Sequence, residues 1–548
     1  MNGVISVLLT TEGTYPYAEG GVSTWCHALV SNLPEVRFVV LALIAQPGLR
    51  PVYPLPPNVQ VLPVPLWGTG AANEMRRDLG LVKLHRMRQA SVQRAVKAAF
   101  QAAFDLFLEG LLADRPRPEL AGEGLRRLAI LFEEHDYDQI FREAVAWETF
   151  RHHAIRFHRE QTLAALLRRG RIPKGEDELA APPVGDLVDA LRLLYRWLTP
   201  IAQPFPRTTV VHASAAGFAS LPGIVARLRY GTPFVLTEHG IYLRERLIAW
   251  NQAGWPPFLK QFAARVTRRL VELSYLTADL IAPVSRWNTR WEQQLGASAD
   301  RILPIANGVD QHRFSPQPFP PFDQPTAVWV GRIDPLKDLL TLVDAMAIVR
   351  EALPNARLLL FGKAPEGNEG YAASVRQRVA QLGLEDVVRF LGFAASPEQA
   401  YAQGHLMVLS SISEGQPYSV IEAMLCGRAV VGTEVGGVPE MISECGSVVP
   451  PRDRRALAQA LISLLSDPAR CQALGAAARR IALERYTLDQ FVAAYRTVYR
   501  AALDWMTQGP AFDVPTGLEV QPVLATPTAE DQSKGLRRLL LGLGKHDR

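Results

Sequence analysis

Only four cysteines occur in 548 residues, Cys26, Cys426, Cys445 and Cys471, with no CxxC pair and no metal-ligand spacing among them. That excludes a disulfide framework and a zinc site of the usual kinds, and the thiols read as small core residues of a reduced protein. No run approaches the roughly 20 apolar residues that cross a bilayer. HExxH, GxSxG and Walker A patterns are also missing, which removes the commonest signatures of zinc peptidases, serine hydrolases and P-loop nucleotidases. Positive charge is scarce in concentrated form. Lys and Arg number 59 against 54 Asp and Glu, a net +5, and no basic tract with interleaved aromatics appears. Nucleic acid is therefore not an expected partner, whereas phosphate-bearing ligands or an anionic membrane surface suit so modest an excess. The opening MNGVISVLLTTEG lacks a basic n-region and reads as a first buried strand rather than a secretory signal. The expectation is a soluble, intracellular chain.

What is present is a long α/β sequence, 48% hydrophobic, sufficient for two or three domains with buried cores. Strand-like apolar runs at 4–9, 36–44, 209–212, 233–237, 280–284 and 302–305 are separated by helical or loop sequence, with a helix expected over 22–32. Between about 70 and 200 the apolar residues instead recur at three- and four-residue intervals, which predicts a helical insertion. The Pro-rich SPQPFPPFDQP at 315–325 reads as a linker, and a second series of strands follows at 327–331, 357–361, 387–391, 405–410 and 429–433. Continuous apolar strands alternating with helices predict two parallel sheets covered on both faces, with a cleft between their carboxyl edges. After 508 the chain turns rich in Pro, Thr and Gln, then ends in GLRRLLLGLGKHDR. That tail reads as disordered, with two readings of its end left open, a short basic helix that docks or a frayed terminus.

The most informative stretch is EGQPYSVIEAMLCG, residues 414–427. Glu414 and Glu422 stand eight apart, with Gly415, Gln416 and Pro417 between them opening a helix whose first position favours proline. Such a helix start aims backbone amides and a positive dipole end at an anion, ideally a diphosphate. In VGRIDPLKD, Arg332 and Lys337 follow a strand and can converge on one anion, a guanidinium fork and a point charge. EGTYPYAEGGVSTW sets Gly20 and Gly21 before a helix, a loop where backbone approaches phosphate closely. TEHGIYLRER places Glu238, His239 and Gly240 just past a strand, where a histidine serves hydrogen bonding or proton traffic near neutral pH. NGVD at 307–310 reads equally as a turn and as a cleft-lining element. The Asp136–Asp138 DYD has the outline of a metal-binding DxD but lies among helical acidic residues, and reads as a solvated face.

Taken in this order, the Gly-rich loop, GRxxxxK and ExxxxxxxE elements resemble the retaining glycosyltransferases of family 4, over roughly 1–50 and 205–505. The opening EGTYPYAEGGVSTW, TEHGIYLRER and the helical insertion between them resemble more closely the glycosyltransferases of Pel exopolysaccharide synthesis. The resemblance implies the GT-B fold, two Rossmann-like domains facing a cleft. It places an acceptor domain at 1–310, a nucleotide-sugar domain at 325–487, a helix at 488–507 crossing back to the first domain, and a flexible tail at 508–548. It also implies that Arg332 and Lys337 bind the donor diphosphate, Glu422 the ribose and Glu414 the hexose. Gly415, Gln416 and Pro417 would contact hexose or phosphate, His239 would flank the reacting centre, and Gly20–Gly21 would close over the donor. The base would lie near Gly392 and Phe393. No metal and no cofactor is expected, the UDP-sugar being a substrate. The acceptor would be a polysaccharide, made by a cytoplasmic chain peripheral to an inner-membrane synthase and export complex. Where family members often carry Phe or Gly-Phe this sequence has Gln416-Pro417, which leaves the hexose open. An epimerase of the same fold and a non-catalytic nucleotide-sugar sensor are the competing readings. The first lacks a convincing acid/base set beside the sugar's C2, and the second does not need His239, Arg332, Lys337 and Glu414 together.

Overall fold

A computed structural model describes residues 4–67, 81–172, 179–202 and 204–508. The expected tail at 508–548 and part of the expected insertion at 70–80 lie outside the described residues beyond Gln508 and before Leu81. The first sheet is built from β1 (Ser6–Glu12), β2 (Arg37–Ile44), β3 (Val59–Pro65), β4 (Val210–Ala213), β5 (Phe234–Glu238) and β6 (Leu280–Pro283). The second takes β7 (Thr326–Val330), β8 (Arg357–Phe361), β9 (Val388–Gly392), β10 (Leu406–Leu409), β11 (Ala429–Thr433) and β12 (Gly446–Val449). All pairings are parallel, for example Ser6 opposite Arg37 and Leu406 opposite Ala429. Strands such as VVHA in β4 and LMVL in β10 are buried along their whole length, because helices cover both faces.

The strand orders are β3-β2-β1-β4-β5-β6 and β9-β8-β7-β10-β11-β12, the same doubly wound order twice. This is the GT-B architecture that the resemblance implied. The order reverses between β1 and β4 in one sheet and between β7 and β10 in the other, and ligands of such sheets bind outside the carboxyl ends at that reversal. Those ends carry Glu12 and the Gly20–Gly21 loop in the first lobe, and Arg332 and the Ser410–Glu414 loop in the second.

Two strands escape the sequence pattern and one expected strand is absent. β3 contains Pro63 and Pro65 and β12 is four residues long, and both are edge strands. Residues 302–305 make only a single bridge, Ile302 to Ile281, at the sheet edge. The Leu303 and Ile305 amides donate to the Ile281 and Pro283 carbonyls of β6, each at 2.9 Å.

The insertion helices Arg94–Leu112, Pro118–Glu134, Ala144–Arg168 and Val184–Trp197 share one apolar core with the first sheet, in which Phe100, Phe104, Phe107 and Leu128 meet Leu8, Val39 and Leu41. The DYD is structural here. Asp136 caps helix Tyr137–Arg142 by accepting from the Gln139 amide at 2.8 Å and pairs with Arg88 at 3.0 Å, and Asp138 accepts from the Tyr195 hydroxyl. Such a cap contributes about 1 kcal/mol.

Helix Leu488–Gln508 follows the second sheet in sequence but packs on the first. Tyr499 meets His212 Nδ1 at 2.7 Å, Tyr495 meets Thr237 Oγ1 at 2.9 Å and Arg496 donates to Glu35 at 2.6 Å.

Candidate functional site

The helix in EGQPYSVIEAMLCG spans Tyr418–Leu425, with Pro417 one position earlier than expected, at the N-cap in extended geometry (φ −73°, ψ 125°). Pro417 has no N–H, so the free amides of this helix start belong to Tyr418 and Ser419 rather than to Pro417. The expected 415–417 amide contacts thus reduce to those of Gly415 and Gln416. Glu422 lies on the second turn, half-buried, and accepts from the Tyr401 hydroxyl at 2.8 Å. Burial pushes its carboxyl up to about 7, with the Tyr401 hydrogen bond opposing the shift.

Glu414 is held, not free. Lys337 Nζ stands 2.6 Å from Glu414 Oε1, and Ser411 Oγ donates to the same oxygen at 2.5 Å. The reading that Arg332 and Lys337 converge on one anion is thus modified, because Lys337 already faces a carboxylate. Lys337 closes a short turn, Pro335–Lys337, started by Pro335 and capped by Asp334, ahead of helix Leu339–Ala352. Arg332 is more open, with 59% of its side chain exposed and Asp334 3.7 Å away. A Cβ on Gly20 would lie 4.0 Å from Arg332 Nη1, and one on Gly21 3.8 Å from the Tyr418 ring. The Gly-rich loop of one lobe therefore faces the cation and the helix start of the other.

The lobes press together at Gly415. A Cβ there would stand 1.8 Å from the His239 carbonyl oxygen, and one on Gly436, whose φ is +55°, 1.8 Å from the Glu414 carbonyl. Any side chain at either position would push the lobes or the loop apart. Gln416 is buried and clamps the seam: its Oε1 accepts from the Asn307 amide at 2.6 Å and its carbonyl from Asn307 Nδ2 at 2.9 Å. That gives NGVD the cleft-lining role among its two readings. Arg244 donates to Ser413 Oγ at 2.8 Å, and Glu440 of the second lobe accepts from the Arg286 amide at 3.1 Å, at the first turn of helix Arg286–Gln294.

His239 packs edge-on against Trp25 with centroids 5.0 Å apart, and Trp25 is fixed in turn by His212, Phe491 and Tyr495. Burial lowers the His239 imidazole to about 3, so it stays neutral at ordinary pH. A neutral ring is compatible with the hydrogen-bonding role read for it and not with proton traffic near neutrality. Its Nε2 is buried and has no hydrogen-bond partner among the described residues. Phe393 is 58% exposed with Lys363 Nζ 5.4 Å from its ring centroid, next to Gly392, whose carbonyl accepts from the Gly362 amide.

Several groups beside these were not singled out from sequence. Glu12, Tyr242, Arg244, Glu245 and Arg246 line the same seam, and four of them lie in the quoted segment TEHGIYLRER, whose dense charges were the available signal. Tyr418 carried none, because its importance depends on the facing Gly21.

The arrangement offers an anion two cations and a helix start, a carboxylate one turn further in, and a second carboxylate, Glu414, one residue before the Gly415 that lies against the His239 backbone. If Glu422 holds a ribose, Glu422→Ala weakens UDP and UDP-sugar alike, by about tenfold for a charge-assisted pair. Glu414→Ala then affects UDP-sugar turnover more than UDP binding. Calorimetry and turnover on both variants separate the two, and equal effects on both ligands from both variants contradict the assignment.

Residues 5–300 match the family described as a domain of unknown function, DUF3492, and residues 324–467 match Glycosyl transferases group 1. N-acetyl-alpha-D-glucosaminyl L-malate synthase of Bacillus anthracis is 33% identical over 175 residues, 31% of this chain, and the match spans 44% of that enzyme's own length. Sucrose-phosphate synthase of Thermosynechococcus elongatus superposes with a TM-score of 0.57 at 19% identity, covering 90% of this chain and 98% of that one. HepE of Anabaena, in complex with UDP, superposes with a TM-score of 0.54 at 16% identity, covering 91% and 100%. At these identities the structural likeness speaks for the fold.

Proposed function

We propose, for a chain that belongs to the DUF3492 family through residues 5–300 and carries a group 1 glycosyl transferase region at 324–467, that it is a retaining glycosyltransferase. It moves a hexose from a UDP-sugar, UDP-glucose or a UDP-N-acetylhexosamine, onto a growing exopolysaccharide of the Pel type. The observation that carries this reading is the meeting of the carboxyl edges of the two sheets: Glu414, held by Lys337, adjoins Gly415, which lies against His239 of the other lobe. The UDP complex of the Anabaena relative supports the choice of donor.

In this reading the diphosphate lies between Arg332, Lys337 and the amides of Tyr418 and Ser419, while Glu422 accepts from the ribose diol. Fixed charges and dipoles aimed at the leaving phosphate stabilise its developing charge in a site of low dielectric. Glu414 accepts from hexose hydroxyls, and the neutral His239 offers a hydrogen bond beside the anomeric carbon. Attack from the face that the nucleoside diphosphate leaves, through an oxocarbenium-like state, retains configuration. Cations of the protein take the part a divalent metal plays elsewhere, so no metal is needed. Among the described residues no helix is long and apolar enough to cross a membrane. In this reading an inner-membrane synthase and export complex takes the product, and the chain docks on it from the cytoplasm.

Calorimetry with UDP in excess EDTA tests the donor half of this reading. One molecule of UDP should bind per chain, and magnesium should change the affinity by less than about threefold. Binding that vanishes with chelator and returns with magnesium or manganese would sink the metal-free mechanism.

A further inference from the structure

On the first-lobe side of the seam, five side chains form a strip whose charges cancel. Glu12, the last residue of β1, accepts from the Tyr242 hydroxyl at 2.8 and 3.0 Å, one distance to each oxygen, and pairs with Arg246 at 3.3 Å. The Arg246 guanidinium also lies over the Tyr242 ring, 4.9 Å from its centroid. Its Nε is buried with no hydrogen-bond partner among the described residues. Arg244 reaches across to Ser413, the neighbour of Glu414. Glu245 is exposed, and a Cβ on Gly240 would meet its Oε1 at 2.3 Å, so this carboxylate sits over the residue that follows His239.

The strip is thus adjacent to the proposed hexose position and outside the diphosphate end. It presents carboxylate acceptors and guanidinium donors in equal number, two of each. An anionic ligand would need an uncompensated cation, yet Arg246 is already matched by Glu12 and Arg244 has Glu245 as its chain neighbour. A ligand with many hydroxyls and no charge can donate to the exposed Glu245 and accept from Arg244 without leaving any charge unpaired. Specificity of this kind comes from rejecting the wrong ligand as much as from binding the right one.

We infer that Glu12, Tyr242, Arg244, Glu245 and Arg246 form the acceptor subsite and select a neutral, polyhydroxylated sugar over one bearing a carboxylate. This rests on the glycosyltransferase reading above and deepens it by naming the class of acceptor.

The full chain, saturated with UDP, is titrated with methyl glycosides of glucose, galactose and their N-acetylated forms, and with methyl glucuronide and galacturonide, by saturation-transfer NMR. At least one neutral glycoside should bind ten times or more tightly than its carboxylate counterpart. Glu12→Gln removes the negative charge opposite Arg246, and the preference should fall to threefold or less. Glu245→Gln, at an exposed position of the helix Tyr242–Gln252, should weaken the neutral glycoside at least fivefold. Equal binding of neutral and carboxylate sugars by the natural chain overturns the inference, as does absence of neutral binding or an unchanged preference in Glu12→Gln. If the natural chain does not bind UDP, the donor reading itself fails and the acceptor assignment falls with it. If UDP binds and the sugar preference is absent, the acceptor assignment alone is wrong.

Discussion

Lys337→Ala should lower UDP-sugar turnover by about 100-fold or more and weaken UDP by about tenfold, the range seen when one preorganised donor to a developing negative charge is removed. Lys337 is the better-buried of the two cations, 19% exposed against 59% for Arg332, and its ammonium is poised 2.6 Å from Glu414. Its loss acts twice. The leaving phosphate loses a charge, and among the described residues Glu414 keeps the Ser411 hydroxyl alone as side-chain partner, so the carboxylate that reads the hexose is less firmly held. Arg332→Ala should cost UDP affinity without disturbing Glu414, which makes the ratio of turnover loss to binding loss larger for Lys337 than for Arg332. Calorimetry of UDP with steady-state turnover measures both. Full activity in Lys337→Ala would remove this residue from the site.

Glu292→Gln should stabilise the protein at pH 8.5 and change little at pH 5. Glu292 is 1% exposed on helix Arg286–Gln294, and neither of its carboxylate oxygens has a hydrogen-bond partner among the described residues. Burial raises its carboxyl from 4.5 to about 8. Close by, Glu238, which accepts from the Ala216 amide at 2.7 Å, is also raised, by burial first and by Glu292 second. A carboxyl raised in the folded state stabilises fully while it is neutral in both states, below about 4.5. That contribution is lost as pH rises toward 8, because the unfolded chain ionises and the folded one cannot. A shift of this size corresponds to about 5 kcal/mol. Glutamine leaves the same polar atoms without partners at every pH but removes the slope. The difference in Tm between variant and natural chain should therefore widen by several degrees from pH 5 to pH 8.5, and a difference independent of pH would contradict the buried, neutral state of Glu292.

Both sheets were legible because buried parallel strands are continuous apolar runs, and LMVL or AVVGT read as such without tertiary information. β3 and β12 were not, since an edge strand tolerates proline, glycine and serine and so lacks the signal. The spacing of Glu414 and Glu422 and the strand-end position of Arg332 follow from local sequence. What the spacing does not encode is pairing between segments distant in the chain. The Lys337–Glu414 ion pair, the Gln416–Asn307 clamp and the pressing of Gly415 on His239 join residues 77, 109 and 176 positions apart (337 to 414, 307 to 416, 239 to 415), and only folding brings them together. The neutral state of His239 was likewise beyond the sequence, because it arises from burial against Trp25.

Release of UDP from UDP-glucose and from UDP-N-acetylhexosamines, followed with and without an oligosaccharide acceptor, bears most directly on the proposal that the interlobe seam transfers a hexose. The account predicts acceptor-dependent UDP release from one of these donors, with the anomeric configuration of the donor kept in the product. An inverted product, epimerised UDP-sugar recovered without transfer, or binding of UDP-sugar with no turnover under any acceptor would contradict it.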